Sequence, residues 1–109
     1  MSPELFQEII ATYRRHGWQL RRVLLRPETR AALDAQAEEL FGEAVMSDAE
    51  VDALWFARPS HAGREAWELR LVAEQPYAHF ETFGPDEADE EREEKRRQME
   101  LKMREYANR

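Results

Sequence analysis

The spacing of hydrophobic side chains predicts a helix, a strand and a second helix at the start of the chain. Residues 3–16 carry apolar side chains on one helical face, with Ser2 as a candidate N-cap and Gly17 as a stop signal. Residues 18–25 predict a strand, although two consecutive arginines interrupt its alternation. Residues 27–41 predict one helix that begins at a proline and ends before a glycine.

The segment 43–50 fits two local structures. Ser47 and Glu50 match a capping box, in which the serine and the glutamate side chains close the first turn of a helix. Residues 44–46, Ala-Val-Met, fit a short strand equally well. Both alternatives stay open at this point.

The clearest predicted element is a β-hairpin rich in aromatic side chains. Segments 51–58 and 64–73 flank a short loop of turn residues. Centring the hairpin on His61 places Trp55 opposite Trp67 and makes one face entirely apolar. We therefore predict this register, with the two indole rings in contact.

A further strand is predicted at residues 77–83, after a turn at Pro76. Its alternation points two side chains toward the core and three outward. The inward pair is Ala78 and Phe80, and the outward set is Tyr77, His79 and Glu81.

The C-terminal segment is a predicted helix in which acids precede bases. Residues 86–94 hold seven acids and one arginine, whereas residues 95–109 hold six bases and two acids. The helix dipole favours this order. Four pairs of a glutamate and a basic residue at i,i+4 are expected to stabilise the helix further. They are Glu91–Lys95, Glu93–Arg97, Glu100–Arg104 and Glu105–Arg109. We expect the first part of this helix to project into solvent.

Three apolar side chains, Met99, Met103 and Tyr106, form the stripe of this helix. The stripe is too short for a coiled-coil seam. It predicts a single interface, either with the same domain or with a second copy of the chain.

Together these elements predict an α+β fold. One compact domain spans residues 1–84, and the charged C-terminal helix at residues 85–109 is partly docked or projecting. The expected order is α-β-α-β-β-β-α, with an antiparallel sheet of three to four strands and two helices on one face.

Composition narrows the classes of function. The net charge of −7 disfavours a nucleic-acid partner, because phosphates repel an acidic chain. The absence of cysteine excludes disulfides, thiolate metal sites and cysteine nucleophiles. The N-terminal residues lack signal-peptide features and no apolar run approaches the roughly 20 residues that span a bilayer. We expect a soluble cytoplasmic protein with no membrane partner.

The four glycines stand far apart at the ends of predicted elements, so they predict turns and not a phosphate-binding loop. No cofactor and no metal site is predicted. The catalytic candidates are His79 and Glu81, which share a strand face with Tyr77 and could form an acid–base dyad, with Arg22 or Arg70 as a supporting charge. The competing interpretation is an ordinary polar strip.

The hairpin loop carries a second candidate site. Two arginines, Arg58 and Arg64, flank Ser60 and His61, and guanidinium groups suit a phosphate or carboxylate ligand. The competing interpretation is a solvated hairpin tip, since loops collect such residues.

The first functional hypothesis is a non-enzymatic protein–protein interaction module, which binds a partner or itself as a homodimer. The alternative is a small-ligand or enzymatic site on the outer sheet face around His79 and Glu81. A further alternative is an acidic nucleic-acid mimic, which requires the carboxylates of the tail to line one surface.

Overall fold

The computed structural model describes residues 3–108 and has an α+β fold. In chain order the elements are α1 (Pro3–Arg15), β1 (Gln19–Leu25), α2 (Pro27–Leu33), α3 (Ala37–Phe41), β2 (Val45–Asp48), β3 (Ala53–Pro59), β4 (Glu65–Leu71), β5 (Ala78–Phe83) and α4 (Asp89–Ala107). Short 3-10 turns follow α2 and β3. The expected Ser2 cap and the Glu105–Arg109 pair involve residues outside the described range.

The sheet has five strands in the order β2-β1-β3-β4-β5. β2 is parallel to β1, and the other neighbours are antiparallel. The expectation of three to four antiparallel strands was therefore wrong in number and in direction. The extra strand is β2. It forms within residues 43–50, for which the sequence fits either a helical turn or a short strand. A parallel pair needs a crossover connection, and α2 and α3 supply it.

Helices cover both faces of the sheet and bury two apolar clusters. The α1, α2 and α3 side packs around Phe6, Leu25, Leu54 and Phe56. The α4 side packs around Trp55, Trp67, Leu69, Phe83 and Met103. The first part of α4 does not project into solvent, because Glu93 binds Arg22 of β1 and Arg92 binds Glu65 of β4.

The hairpin register differs from the predicted one by two residues. Trp55 lies opposite Leu69, and Trp67 lies opposite Ala57. Because the shift is even, every side chain keeps its predicted face. The two indole rings still meet, as diagonal neighbours with centroids 5.9 Å apart and planes at 71°.

The turn explains the shift. The amide of Ser60 donates to the carbonyl of Arg64, which centres the hairpin on Ala62 and not on His61. Ala62 and Gly63 both have positive φ, 56° and 73°. The glycine is a visible turn signal, but an alanine in the left-handed region is uncommon and has no signature in the sequence.

The helix predicted at residues 27–41 is interrupted. α2 ends at Leu33, a 3-10 turn follows, and α3 begins at Ala37. Leu33 and Gln36 both have ψ near zero, at 1° and −1°, which tightens the helix at these two points. Phe41 then meets Phe6 of α1 edge-on, with ring centroids 5.7 Å apart.

Asp52 is a buried carboxylate between β2 and β3 that caps α2 from a distant part of the chain. Its Oδ1 accepts the Arg26 amide at 2.8 Å, and its Oδ2 accepts the Thr29 hydroxyl at 2.7 Å. An N-cap normally comes from the residue directly before the helix. Here Arg26 occupies that position and makes no side-chain cap.

Candidate functional site

His79 lies on the sheet face that α4 covers. It pairs with Leu69 of β4, its ring meets Tyr77 with centroids 5.0 Å apart, and Lys102 of α4 is nearby. Its Nε2 is buried and has no hydrogen-bond partner within residues 3–108. Burial lowers the pKa of His79 below its usual range, and the positive charge of Lys102 lowers it further. The predicted outward face of β5 is therefore a helix-covered face.

The side chains expected to assist His79 point elsewhere. Glu81 accepts the amide of Thr82 at 3.0 Å instead of pairing with the imidazole. Arg22 binds Glu93, and Arg70 donates to the carbonyl of Leu71. Two open cavities of about 550 and 570 Å³ lie against α4, and His79 lines neither of them. The arrangement does not assemble an acid–base site around His79.

His79 makes a testable contribution to the pH dependence of stability. Its pKa is lower in the folded than in the unfolded state, so the unfolded chain binds more protons and acid favours unfolding. The stability is complete above about pH 6.5, the unfolded value, and falls as the pH drops toward the folded pKa. The slope of the unfolding free energy against pH reports the number of protons taken up on unfolding. We expect His79→Gln to lower that number by less than one, as measured by urea titrations from pH 7 to about pH 5.

The matched control is His61→Gln, in the exposed hairpin loop. This variant should keep the slope of the parent chain. Equal slopes for the parent and for His79→Gln would contradict the prediction.

The residues of the predicted anion site diverge. The Arg58 guanidinium donates to the carbonyl of His16 and lies 5.3 Å from the centre of the Trp18 ring. The Arg64 guanidinium donates to the Thr82 hydroxyl at 2.8 Å. Ser60 and His61 lie within 3.4 Å of each other at the tip. The two guanidinium groups therefore bind different parts of the domain and do not face one ligand.

The stripe of α4 packs against the sheet of the same chain. Met99 and Met103 are buried in the apolar cluster on that side. The Tyr106 ring stacks on Tyr77, with centroids 3.5 Å apart and planes at 1°. These three side chains therefore form the interface between α4 and the sheet of the same chain.

Arg96 is a buried cation that the sequence analysis did not single out. The residue is 7% exposed, and its guanidinium carbon lies 4.1 Å from the Trp67 ring centroid and 5.1 Å from the Phe83 ring centroid. Glu93 contacts both Arg96 and Arg22, and hydrogen bonds from Arg22 hold the pKa of Glu93 below its usual range. Arg96 thus holds α4 against the sheet by cation–π contacts, and the Glu93 carboxylate links Arg96 to Arg22 of β1.

Ion pairs tie some of the acids in and just before α4 to bases of the same domain. Glu93 binds Arg22, Glu94 binds Arg97 at i,i+3, and Glu87 in the preceding loop binds Lys95. The arrangement differs from the predicted i,i+4 pairs, since Glu93 does not use Arg97 and Arg104 binds Glu50. The carboxylates consequently face several directions.

An open surface remains at the edge strand β5. Phe80 is 59% exposed, although the alternation predicted it to be in the core. It lies on the α1 side of the sheet, opposite Glu68, but α1 packs over β1 and leaves β5 uncovered on that side. The Trp18 ring meets Phe80 edge-on, with centroids 6.4 Å apart. We call the open edge of β5 together with Trp18 and Phe80 the β5 surface.

The opposite edge of the sheet, β2, is shorter and carries one exposed apolar side chain, Val45, at 63% exposure. Asp48 at its end binds Arg30 at 2.8 Å. Short length and charge both weaken an edge strand as a template for pairing. β5, with six residues, is the longer of the two edges.

Within residues 3–108, no group of three or more histidine, aspartate or glutamate side chains is placed to hold a metal ion. No helix in the same range is long and apolar enough to cross a bilayer. Comparisons of the chain with protein family models, with curated proteins and with solved structures give no match.

Proposed function

We propose that this protein is a non-enzymatic protein–protein interaction module that binds through the β5 surface. The observation that carries the proposal is Phe80, an aromatic side chain 59% exposed in the middle of an edge strand. Aromatic residues are enriched at the centres of protein interfaces and supply much of their binding energy.

The backbone of β5 supports the same proposal. An edge strand presents unpaired amide and carbonyl groups, and extended segments of partners bind such edges by adding a strand. On β5 these groups lie beside Phe80 and Trp18, so main-chain pairing and aromatic contact are available at one place.

The divergence of the candidate catalytic groups supports a binding role over a chemical one. The Nε2 of His79 has no hydrogen-bond partner in the part of the chain that the structure describes, and Arg58 and Arg64 bind separate parts of the domain. An acid–base mechanism needs groups that converge on one reacting atom. The β5 surface needs no such convergence to bind a protein.

Replacing Phe80 with serine is expected to reduce partner recovery at least tenfold, because an interface aromatic commonly contributes 2 kcal/mol or more, roughly a factor of 30 in affinity. The measurement is affinity capture with the tagged full chain from the source cell, with quantitative mass spectrometry and cross-links mapped to residues 78–83. Because Phe80 is exposed, the melting temperature should stay close to that of the parent chain.

Val45→Ser is the matched control, since it removes an equally exposed apolar side chain from the other edge of the sheet. It should retain the captured partner. Loss of the partner in both variants, or in neither, would argue against the β5 surface as the binding site.

A further inference from the structure

We propose that the partner at the β5 surface is a second copy of this chain, whose β5 pairs antiparallel with β5 about a two-fold axis at Phe80. The inference rests on the proposed function and adds the identity of the partner and the register. A two-fold contact uses the same patch on both copies, so the patch must be complementary to itself.

The backbone of β5 has its free groups at alternate residues. The amide of Leu71 donates to the carbonyl of Tyr77 at 2.9 Å, so Tyr77 turns its backbone groups toward β4. Alternation along an antiparallel ladder then turns the amides and carbonyls of Ala78, Phe80 and Thr82 toward the open side. The free groups are thus centred on Phe80.

One of the open-side amides of β5, that of Thr82, has a partner within its own strand. The Glu81 carboxylate reaches along the edge and accepts this amide at 3.0 Å. Charged side chains protect an edge strand against pairing, so this carboxylate must leave the Thr82 amide before a second strand pairs there. When a second strand supplies a carbonyl to Thr82, the Glu81 carboxylate is released for another contact.

The register centred on Phe80 satisfies both the backbone and the side chains. It pairs Phe80 with Phe80 of the second copy and Ala78 with Thr82, all residues with outward backbone groups. On the α4 side of the sheet it sets His79 opposite the second copy's Glu81. Lys102 of α4 adds positive charge beside His79, so the released carboxylate meets a positive site.

The neighbouring registers are less favourable. Only alternate residues of β5 turn their backbone groups to the open side, so the second strand can slide along the first only in steps of two residues. A shift in one direction sets Glu81 opposite Glu81, where like charges repel. A shift in the other direction sets His79 opposite His79 beside two Lys102 side chains. The shift that sets His79 opposite His79 also shortens the overlap of the two strands, and both shifts separate the two Phe80 rings.

Pairing of β5 with β5 ends at a dimer, because a two-fold contact uses the same edge on both copies. Pairing of β5 with the β2 edge of another copy is a head-to-tail contact, which generates a ring or an open filament. The acidic Asp48 and the four-residue length of β2 also disfavour that edge. A discrete dimer with a continuous sheet across two copies is therefore the expected assembly.

Disulfide trapping tests the register, because the natural chain contains no cysteine. Directly opposed residues of a hydrogen-bonded pair have Cα atoms about 5.5 Å apart, within the range of a disulfide. The double variant Ala78→Cys/Thr82→Cys should form a covalent dimer on mild oxidation. Ala78→Cys alone and Thr82→Cys alone should not, whereas an equal mixture of these two single variants should. A covalent dimer from either single variant would overturn the register.

Sedimentation equilibrium on the full chain tests the dimer. The parent chain should be dimeric, Phe80→Lys should be monomeric because two like charges then meet at the axis, and Val45→Lys should remain dimeric. Circular dichroism spectra of all three should coincide. A parent chain that stays monomeric throughout the concentration series would overturn the self-association. The broader function would survive that result if capture of a different protein still depended on Phe80, and would fail if it did not.

Discussion

A chain that ends at Gly84 is expected to lose the cooperative unfolding transition of the full chain. α4 covers the sheet face that carries Trp55, Trp67 and Phe83. Aromatic side chains bury about 150–250 Å² each, so exposing half of that area on three rings costs about 6–9 kcal/mol at about 25 cal/mol per Å². Small domains are stable by only about 5–15 kcal/mol.

The measurement is thermal unfolding of the truncated chain followed by near-ultraviolet circular dichroism, with binding of a hydrophobic dye as a second readout. The truncated chain should show no sharp transition and should bind the dye. A separate peptide of residues 85–109 should restore part of the signal when it is added. The control is the full chain with Glu90 and Glu91 changed to glutamine, which removes two exposed charges and keeps the docked helix. A truncated chain that melts as the parent does would contradict the prediction.

Replacement of Trp55 with alanine is the single substitution with the largest expected effect. The Trp55 side chain is 0% exposed, its ring meets Trp67, and its Nε1 donates to the Glu100 carboxylate at 2.8 Å. Tryptophan-to-alanine changes in a core cost about 3–5 kcal/mol. The loss of a partner for Glu100 adds to that cost, since α4 would lose one of its links to the sheet. Urea denaturation should show a lower midpoint.

Trp55→Phe separates the two contributions. It keeps an apolar ring against Trp67 and removes the hydrogen bond to Glu100, so it should cost clearly less than alanine. Trp18→Ala, at a partly buried position at the margin of the other apolar cluster, is the control for loss of an indole that is not fully buried. The prediction fails if Trp55→Ala stays within about 1 kcal/mol of the parent, an effect typical of ordinary substitutions.

The face of each hairpin residue was predictable from the sequence, whereas its partner was not. The period-two pattern around Trp55 and Trp67 assigns the two faces, and the structure confirms that both rings lie on one of them. The partner depends on the geometry of the turn. A left-handed Ala62 moves the hairpin centre by one residue and every partner by two.

The orientation of β5 shows a different limit of sequence patterns. Alternation separates Phe80 from His79 and Glu81, but it does not say which face a helix will cover. The prediction assumed that the more apolar pair faces the core. In the structure α4 covers the face of His79, and the face of Phe80 extends beyond α1. The extent of each helix layer is a tertiary property.

Charged residues with distant partners were the least predictable part. Arg96 and Glu93 fit the pattern of a solvated helix, and local i,i+4 pairs are the simplest expectation for it. Their actual partners, Trp67 and Arg22, are about 30 and 71 residues away in sequence. No local spacing rule connects such positions. The exposure of Phe80 was likewise not predictable, because it depends on which part of the sheet the helices cover.

The cap that Asp52 provides has a consequence for the order in which the domain opens. A helix of seven residues such as α2 is too short to persist alone in water. Asp52 of the β2–β3 connection holds the Arg26 amide directly before α2 and the Thr29 hydroxyl of its first turn, so α2 cannot outlast the pairing of β2 and β3 with β1. We therefore expect the amides of α2 and β3 to exchange with solvent deuterium as one unit, through a shared opening event and not by fraying of the helix.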